Sequence, residues 1–457
     1  MSILSKPVRL NFSCYDVGHT WSPHCTEASL KVGCAALIES LKIYGVVYFV
    51  STLIQRKRFN RDVLKGILQS SCFLSFNGYG FILFFCISRW MFGGLTVWSS
   101  SYIPAFLASL TAIFIEQKNR RKMLSLYVAN VASETLLLMA RNRGWPVPTT
   151  ESLLWPFLFS ILVAASVHME KRELLSKGIV SSFLRFVVGR KKITPSRVVD
   201  DDIRHGSDVS SLVSCTNRRR QLDAEFRAGR PTVSSKQSDS GLQLMKYCIK
   251  GFAYPFVVAS GLSVVLRFLS KFRNILKSPV QSFKSTLTDP GIYKLGLFLG
   301  SFTGVFRVTI SAFRLAGIEW SHRETLAGFL AGLSMMFYRS TNLVIYLWLR
   351  VLEGFLKGGI SAGIVPSVPG FTEALYAIST ALLLGVSVIE PHNLKPSYWK
   401  FLNRLTWGFV GQMNRRLMDP LGYESSKMDP DFWPHYDKRF ISSALRSFLT
   451  TGIYPVS

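Results

Sequence analysis

Acidic side chains are scarce in this sequence: 27 Asp and Glu stand against 54 Lys and Arg, for a net charge of +27 over 457 residues. Charge of either sign is thin, at 18% of residues, while 48% are apolar. Mean hydropathy is positive, so the apolar residues are gathered into blocks rather than scattered over soluble domains. Cysteine is sparse too. The seven cysteines (Cys14, Cys25, Cys34, Cys72, Cys86, Cys215, Cys248) are widely spread with no CxxC, which argues against a disulfide framework. Met1 to Lys31 has no charged-then-apolar signal pattern, so a first apolar run acting as an uncleaved insertion signal is expected. The chain ends Tyr454-Pro-Val-Ser457, without a retention or peroxisomal tripeptide.

Catalytic signatures are also missing. There is no GxSxG elbow, P-loop, HExxH, or His-x4-Asp of glycerolipid acyltransferases. His19, His24, His168, His205, His322, His392 and His435 are scattered over termini, loops and helix ends. The expectation is a protein without enzymatic activity and without a cofactor. An excess of positive charge suggests nucleic acid or anionic membrane as partner. The cations sit at the ends of apolar runs, which fits lipid headgroups and not nucleic acid.

What is present is a succession of apolar segments near the length that crosses a bilayer. The first five are Val32–Ile54, Leu64–Ser88, Tyr102–Ile115, Met123–Ala140 and Leu153–Val167. Five more follow: Met245–Leu269, Leu295–Phe313, Leu326–Tyr338, Leu343–Leu356 and Glu373–Ile389. Ten is an upper count, because the third in each set is short. Between the sets, Lys191 to Gln243 is rich in Ser, Arg and Asp and reads as a disordered polar linker. Its Arg218-Arg-Arg and Arg230-Pro-Thr232-Val-Ser234 are kinase-accessible on the sharper reading and merely solvated on the blander one.

The two sets look alike. Phe106-Leu-Ala-Ser-Leu110 corresponds to Phe329-Leu-Ala-Gly-Leu333, and the same offset pairs Asn119 with Asn342. Several weaker matches keep the same order, which reads as an internal duplication. The fold expected is all-α: a polytopic helical membrane protein of two tandem repeats, each with four to five membrane helices, plus interfacial amphipathic helices. The expected divisions are a first repeat at 1–190, a linker at 191–244, a second repeat at 245–416 and a soluble tail at 417–457. Basic amphipathic stretches follow both sets, at Lys171–Lys192 and Lys395–Arg416, with apolar residues at helical spacing. The alternative for each is a core helix of a soluble domain. Basic loops favour parallel halves while the segment count favours inverted ones, so the relation of the halves stays open.

Four residue patterns invite functional readings. Gly296, Gly300 and Gly304 share one helix face, as do Gly328 and Gly332 in the next; they suit close helix packing or a groove for a lipid chain or polypeptide. The duplication sets Glu116 opposite Arg339, which either pair across the halves or mark membrane boundaries. Glu134 and Glu353 also fall inside apolar helices. Cys14, His19, His24 and Cys25 have soft ligands at spacing that permits a metal without arguing for one.

The segments Asn11-Phe-Ser-Cys14 through Cys25, Glu39-Ser-Leu-Lys-Ile-Tyr44 and Tyr127-Val-Ala-Asn-Val-Ala-Ser-Glu-Thr135 resemble the transmembrane protein 135 family, also called peroxisomal membrane protein 52. Phe183–Gly189, Tyr247–Phe252, Ala327–Tyr338 and Lys395–Leu402 extend the resemblance. More distantly, the glycine-rich second half is similar to the mitochondrial inner-membrane import translocase channel family. The first half departs from it, with Ser75 and Ser109 at glycine positions and Glu116 at the arginine. The first resemblance implies peroxisomal and mitochondrial membranes and lipid droplets as location. It also implies a role in organelle lipid metabolism and the mitochondrial fission–fusion balance, with no catalytic residues. The partners expected are membrane lipids, cytosolic fission or scaffold proteins, and further copies of the chain in a homo-oligomer.

Overall fold

The computed structural model describes residues 8–54, 60–149, 151–175, 179–188, 237–270, 289, 291–318 and 320–455. Most of the expected linker lies outside these residues, with the candidate kinase sites and the basic clusters at Arg56–Arg58 and Lys271–Lys277. The described elements are helical apart from one isolated bridge between Leu10 and Leu95. In chain order the first seven are α1 (Cys14–Val17), α2 (Cys25–Ile54), α3 (Arg61–Phe92), α4 (Ile103–Ile113), α5 (Lys118–Asn142), α6 (Leu154–Lys171) and α7 (Ile179–Val188). The rest are α8 (Gln237–Ser270), α9 (Gly291–Leu315), α10 (Arg323–Gly332), α11 (Thr341–Ser361), α12 (Phe371–Ile389), α13 (Pro396–Leu405) and α14 (Ser443–Thr451).

Six of these, α2, α3, α5, α8, α9 and α12, are long and apolar enough to cross a bilayer. Among the described residues the protein is an all-helical membrane protein with six candidate spans, fewer than the ten apolar segments. The difference has a physical cause at α4. Its 11 residues reach about 17 Å, roughly half of a ~30 Å hydrocarbon core. Likewise α10 is 10 residues long and passes into a 3-10 turn at Leu333–Phe337. Side chains such as Val46, Val47, Phe49 and Leu53 on α2, and Val257, Val258 and Leu262 on α8, are exposed, as lipid-facing residues must be.

The chain forms two compact units. One comprises residues 1–150, 341–349 and 358–457; the other comprises 151–340 and 350–357. This division does not follow the expected boundaries at 190, 245 and 417. The C-terminal residues are one reason. Leu417, Met418, Leu421 and Leu445 are buried in a cluster with Leu10, Phe12, Phe85 and Val388, so the tail completes the core of the first unit.

In the first unit, α2 and α3 form an antiparallel hairpin, and α12 is enclosed by α4 and α5. Small residues make that close approach feasible on α12: Ala377, Ala381 and Gly385 face inward. A Cβ on Gly385 would come within 2.5 Å of the Tyr102 ring. The N-terminal segment is tied to the tail by the Tyr436 hydroxyl on the Asp16 carbonyl. Thr20 donates to Gln412 (2.7 Å) and Asn414 N–H to the Val17 carbonyl (3.0 Å).

The second unit is built on glycine-mediated contacts. Gly296 and Gly300 on α9 lie against Phe252, Phe256 and Ser260 of α8, and a Cβ on Gly300 would sit 3.0 Å from the Phe252 carbonyl. Gly328 and Gly332 on α10 lie against Val167 and Ser160 of α6. On α7, Phe183 packs 5.4 Å from Phe302, and Arg185 pairs with Glu170 at 2.5 Å.

Candidate functional site: an apolar cavity beside a cysteine–histidine cluster

A cavity of about 190 Å³ lies inside the first unit. It is walled by Phe73, Asn77 and Phe81 of α3, Leu124 and Val128 of α5, and Tyr376, Thr380 and Leu384 of α12. Tyr398, Phe401 and Leu402 of α13 close one side, and Trp21 closes another. An engineered cavity of roughly 150 Å³ with such an apolar lining stays dry and takes up benzene. The stretch Lys395–Arg416 is expected as an interfacial amphipathic helix; within it α13 turns Tyr398, Phe401 and Leu402 to protein. Its charged face is held by Lys395 on Glu134 (3.1 Å) and Arg404 on Glu39 (3.3 Å).

Among the polar groups of the lining, Asn77 and Tyr376 are joined directly. Asn77 donates to the Tyr376 hydroxyl at 2.9 Å and accepts from Ser109 at 3.4 Å. Thr380 Oγ1 is buried without a hydrogen-bond partner among the described residues, which leaves a polar atom for a ligand. Burial pushes the Tyr398 phenol well above its usual range, so it stays neutral. Below the cavity, Arg415 is buried and its pKa is lowered by burial to about 10. It remains charged at neutral pH, held by the carbonyls of Val410 (2.8 Å) and Ser387 (3.1 Å) and the face of Trp399.

Beside the cavity, Cys14, His19, Cys25 and Cys86 gather with their ligand atoms all within 4.8 Å of one another. Local chemistry places each one. Ser13 and Asp16 form a capping box that starts α1 at Cys14. Cys25 opens α2, and Cys86 lies near the end of α3, where the hairpin returns to the start of α2. Gly18 lets the chain lie on α3 next to Cys86, since a Cβ there would fall within the Phe85 ring. His19 is fully buried, and its Nδ1 is 2.8 Å from the Ser22 carbonyl. Burial opposes a charge on His19, but the sulfurs of Cys14 and Cys25 outweigh it and raise its pKa to about 10. Metal binding to such a set expels those protons.

Of the sequence candidates, His24 is not in the cluster; its ring stands edge-on to Phe440, 6.0 Å away. Cys86 takes the fourth place, and spacing along the chain gave no hint of it. The signal was available in the helix hairpin: Gly33 meets Tyr79 and Gly78 meets Val32 and Ala36, a register that brings Cys86 level with Cys25. The expected charged residues find partners in their own units. Glu116 pairs with Arg120 (3.6 Å) and Ser70 (3.1 Å), and Arg339 donates to the Glu151 carbonyl at 2.5 Å. Glu134 holds Lys395, and Glu353 pairs with Arg350 at 2.9 Å.

All four clustered residues and α2 through nearly all of α5 lie in one recognisable stretch. Residues 11–141 match the family described as the N-terminal cysteine-rich region of transmembrane protein 135. This chain carries that region. The transmembrane protein 135 cysteine-rich region thus supplies the α2–α3 hairpin, the cluster at one end of it and the α3 and α5 walls of the cavity. No solved structure matches the chain.

Proposed function

We propose that this protein works without catalysis, holding the acyl chain of a lipid in the cavity of its first unit. The observation that carries this reading is the cavity's composition: a mainly apolar lining in which the Asn77–Tyr376 hydrogen bond and Thr380 offer polar atoms. Such a lining takes hydrocarbon and offers a hydrogen bond to a carbonyl or hydroxyl. The resemblance to transmembrane protein 135 supports placement in peroxisomal and mitochondrial membranes and at lipid droplets. Lipid held there would link the protein to organellar lipid metabolism and the fission–fusion balance, with cytosolic fission or scaffold proteins recruited to its basic faces. A transport groove along Gly296, Gly300 and Gly304 is less favoured, because Phe252 and Phe256 pack onto that face.

The test is native mass spectrometry of the purified full chain in mild detergent, followed by extraction and identification of bound lipid. An acyl lipid that survives detergent exchange, and that is reduced in the Val128→Phe variant, is the expected result. A folded wild-type protein that releases all lipid would overturn the reading.

A further inference from the structure

The cysteine–histidine cluster has the composition and geometry of a closed metal site. Three thiols and one imidazole come from three separate segments: α1, the loop before α2 with α2's first residue, and the end of α3. Cys14 and Cys25 sulfurs are 3.5 Å apart. Two sulfurs each about 2.3 Å from a tetrahedral zinc would be separated by about 3.8 Å, so small movements bring the set to bonding geometry. Two further observations point to a ligand. His19 Nε2 is buried with no hydrogen-bond partner among the described residues. Its Nδ1 is in hydrogen-bond reach of the Ser22 carbonyl (2.8 Å), the outer contact that orients a metal-bound histidine and fixes its tautomer.

We infer that Cys14, His19, Cys25 and Cys86 bind one zinc ion, in a structural site that pins residues 14–25 to the end of α3. Three thiolates and a neutral imidazole fill four tetrahedral positions, which leaves none open for water and fits a structural role. Soft sulfur ligands select zinc over magnesium or calcium. On binding, the protons held among the three sulfurs and the His19 ring nitrogen that meets the ion pass to solvent, and each of the four ligand atoms forms one bond to the ion, with no change of oxidation state. The site stands independently of the lipid reading, since metal content and lipid content are separate measurements.

The experiment is metal analysis of the full-length protein, purified in detergent with a phosphine reductant and no chelator. About one zinc per chain is expected. Cys86→Ser and His19→Ala should each lose at least about four-fifths of it, while His24→Ala and Cys34→Ser keep it. Cobalt exchanged into the wild-type protein should give tetrahedral ligand-field bands and a thiolate charge-transfer band; this readout needs no variant to fold. Absence of zinc and of the cobalt spectrum would overturn the site, as would a Cys14–Cys25 disulfide in the intact mass without reductant. Equal metal loss in His24→Ala and Cys86→Ser would overturn the assigned ligands.

Discussion

Trp21 stacks on Phe409 with ring centroids 4.9 Å apart and stands edge-on to His19 at 6.4 Å, so Trp21 joins the cluster to the cavity that it lines. Trp21 lies between His19 and Cys25 in sequence and forms part of the cavity wall. Whatever fixes residues 14–25 therefore fixes one side of the lipid chamber.

Trp21→Ala should remove both the stack and that wall. Because Trp21 is partly buried, the loss is expected at about 2–3 kcal/mol, below the range for a fully buried aromatic. Thermal unfolding followed by circular dichroism checks it, together with lipid retention, which should fall in parallel. Unchanged stability and unchanged retention would show that the segment does not close the cavity.

Replacing Thr380 by Val keeps shape and removes the unpartnered hydroxyl. Binding of a fatty acid should weaken several-fold, as loss of roughly 1 kcal/mol of hydrogen bonding implies. Binding of a plain alkane probe should not weaken. Equal weakening of both would place the polar contact elsewhere.

Gly300→Leu is expected to force α9 away from the Phe252 carbonyl of α8. Overpacking of this kind costs about 1–3 kcal/mol and should appear as a lower melting temperature of the second unit. Lipid binding in the first unit should persist.

Charge reversal separates local from distant pairing. Glu116 is 2% exposed and shares Ser70 with Arg120. Glu116→Arg should therefore destabilise by about 3–5 kcal/mol, the range for stripping one partner from a buried pair. Adding Arg339→Glu should not restore the loss; rescue would restore the idea of a pair across the halves.

Acid should weaken the first unit through His392. Burial, and after it the Lys427 charge, lowers its pKa below 6.5, with Glu390 and Glu424 acting the other way. A histidine held neutral in the fold contributes fully above its unfolded pKa of about 6.5, and the contribution falls away as pH drops below that value. Melting temperatures at about pH 7.5 and 5.5 should differ less in His392→Leu than in the wild type. An identical difference would assign the acid sensitivity elsewhere.

The helical membrane character was legible because apolar runs and flanking cations are one-dimensional signals. So were the glycine faces, since spacing by four residues is local. The number of spans was less legible: Tyr102–Ile115 reads as apolar, but α4 is short and begins with a π turn at Trp98–Tyr102. Cys14, His19 and Cys25 could be read from spacing, whereas Cys86 needed the register of the α2–α3 hairpin. His24 shares His19's chemistry but turns to Phe440. Nothing in the composition of residues 417–457 announces that Leu417 and Leu445 meet Phe12 and Phe85, because such contacts are set only by the folded chain.

The most direct test of lipid holding is photo-crosslinking in native membranes with a fatty acid carrying a diazirine in its chain, followed by peptide mapping. Adducts on α3, α5, α12 and α13 around Phe81, Val128, Leu384 and Phe401, and their loss in Val128→Phe, are expected. Adducts confined to outward residues such as Val47 and Leu53 of α2, unchanged by Val128→Phe, would contradict the account.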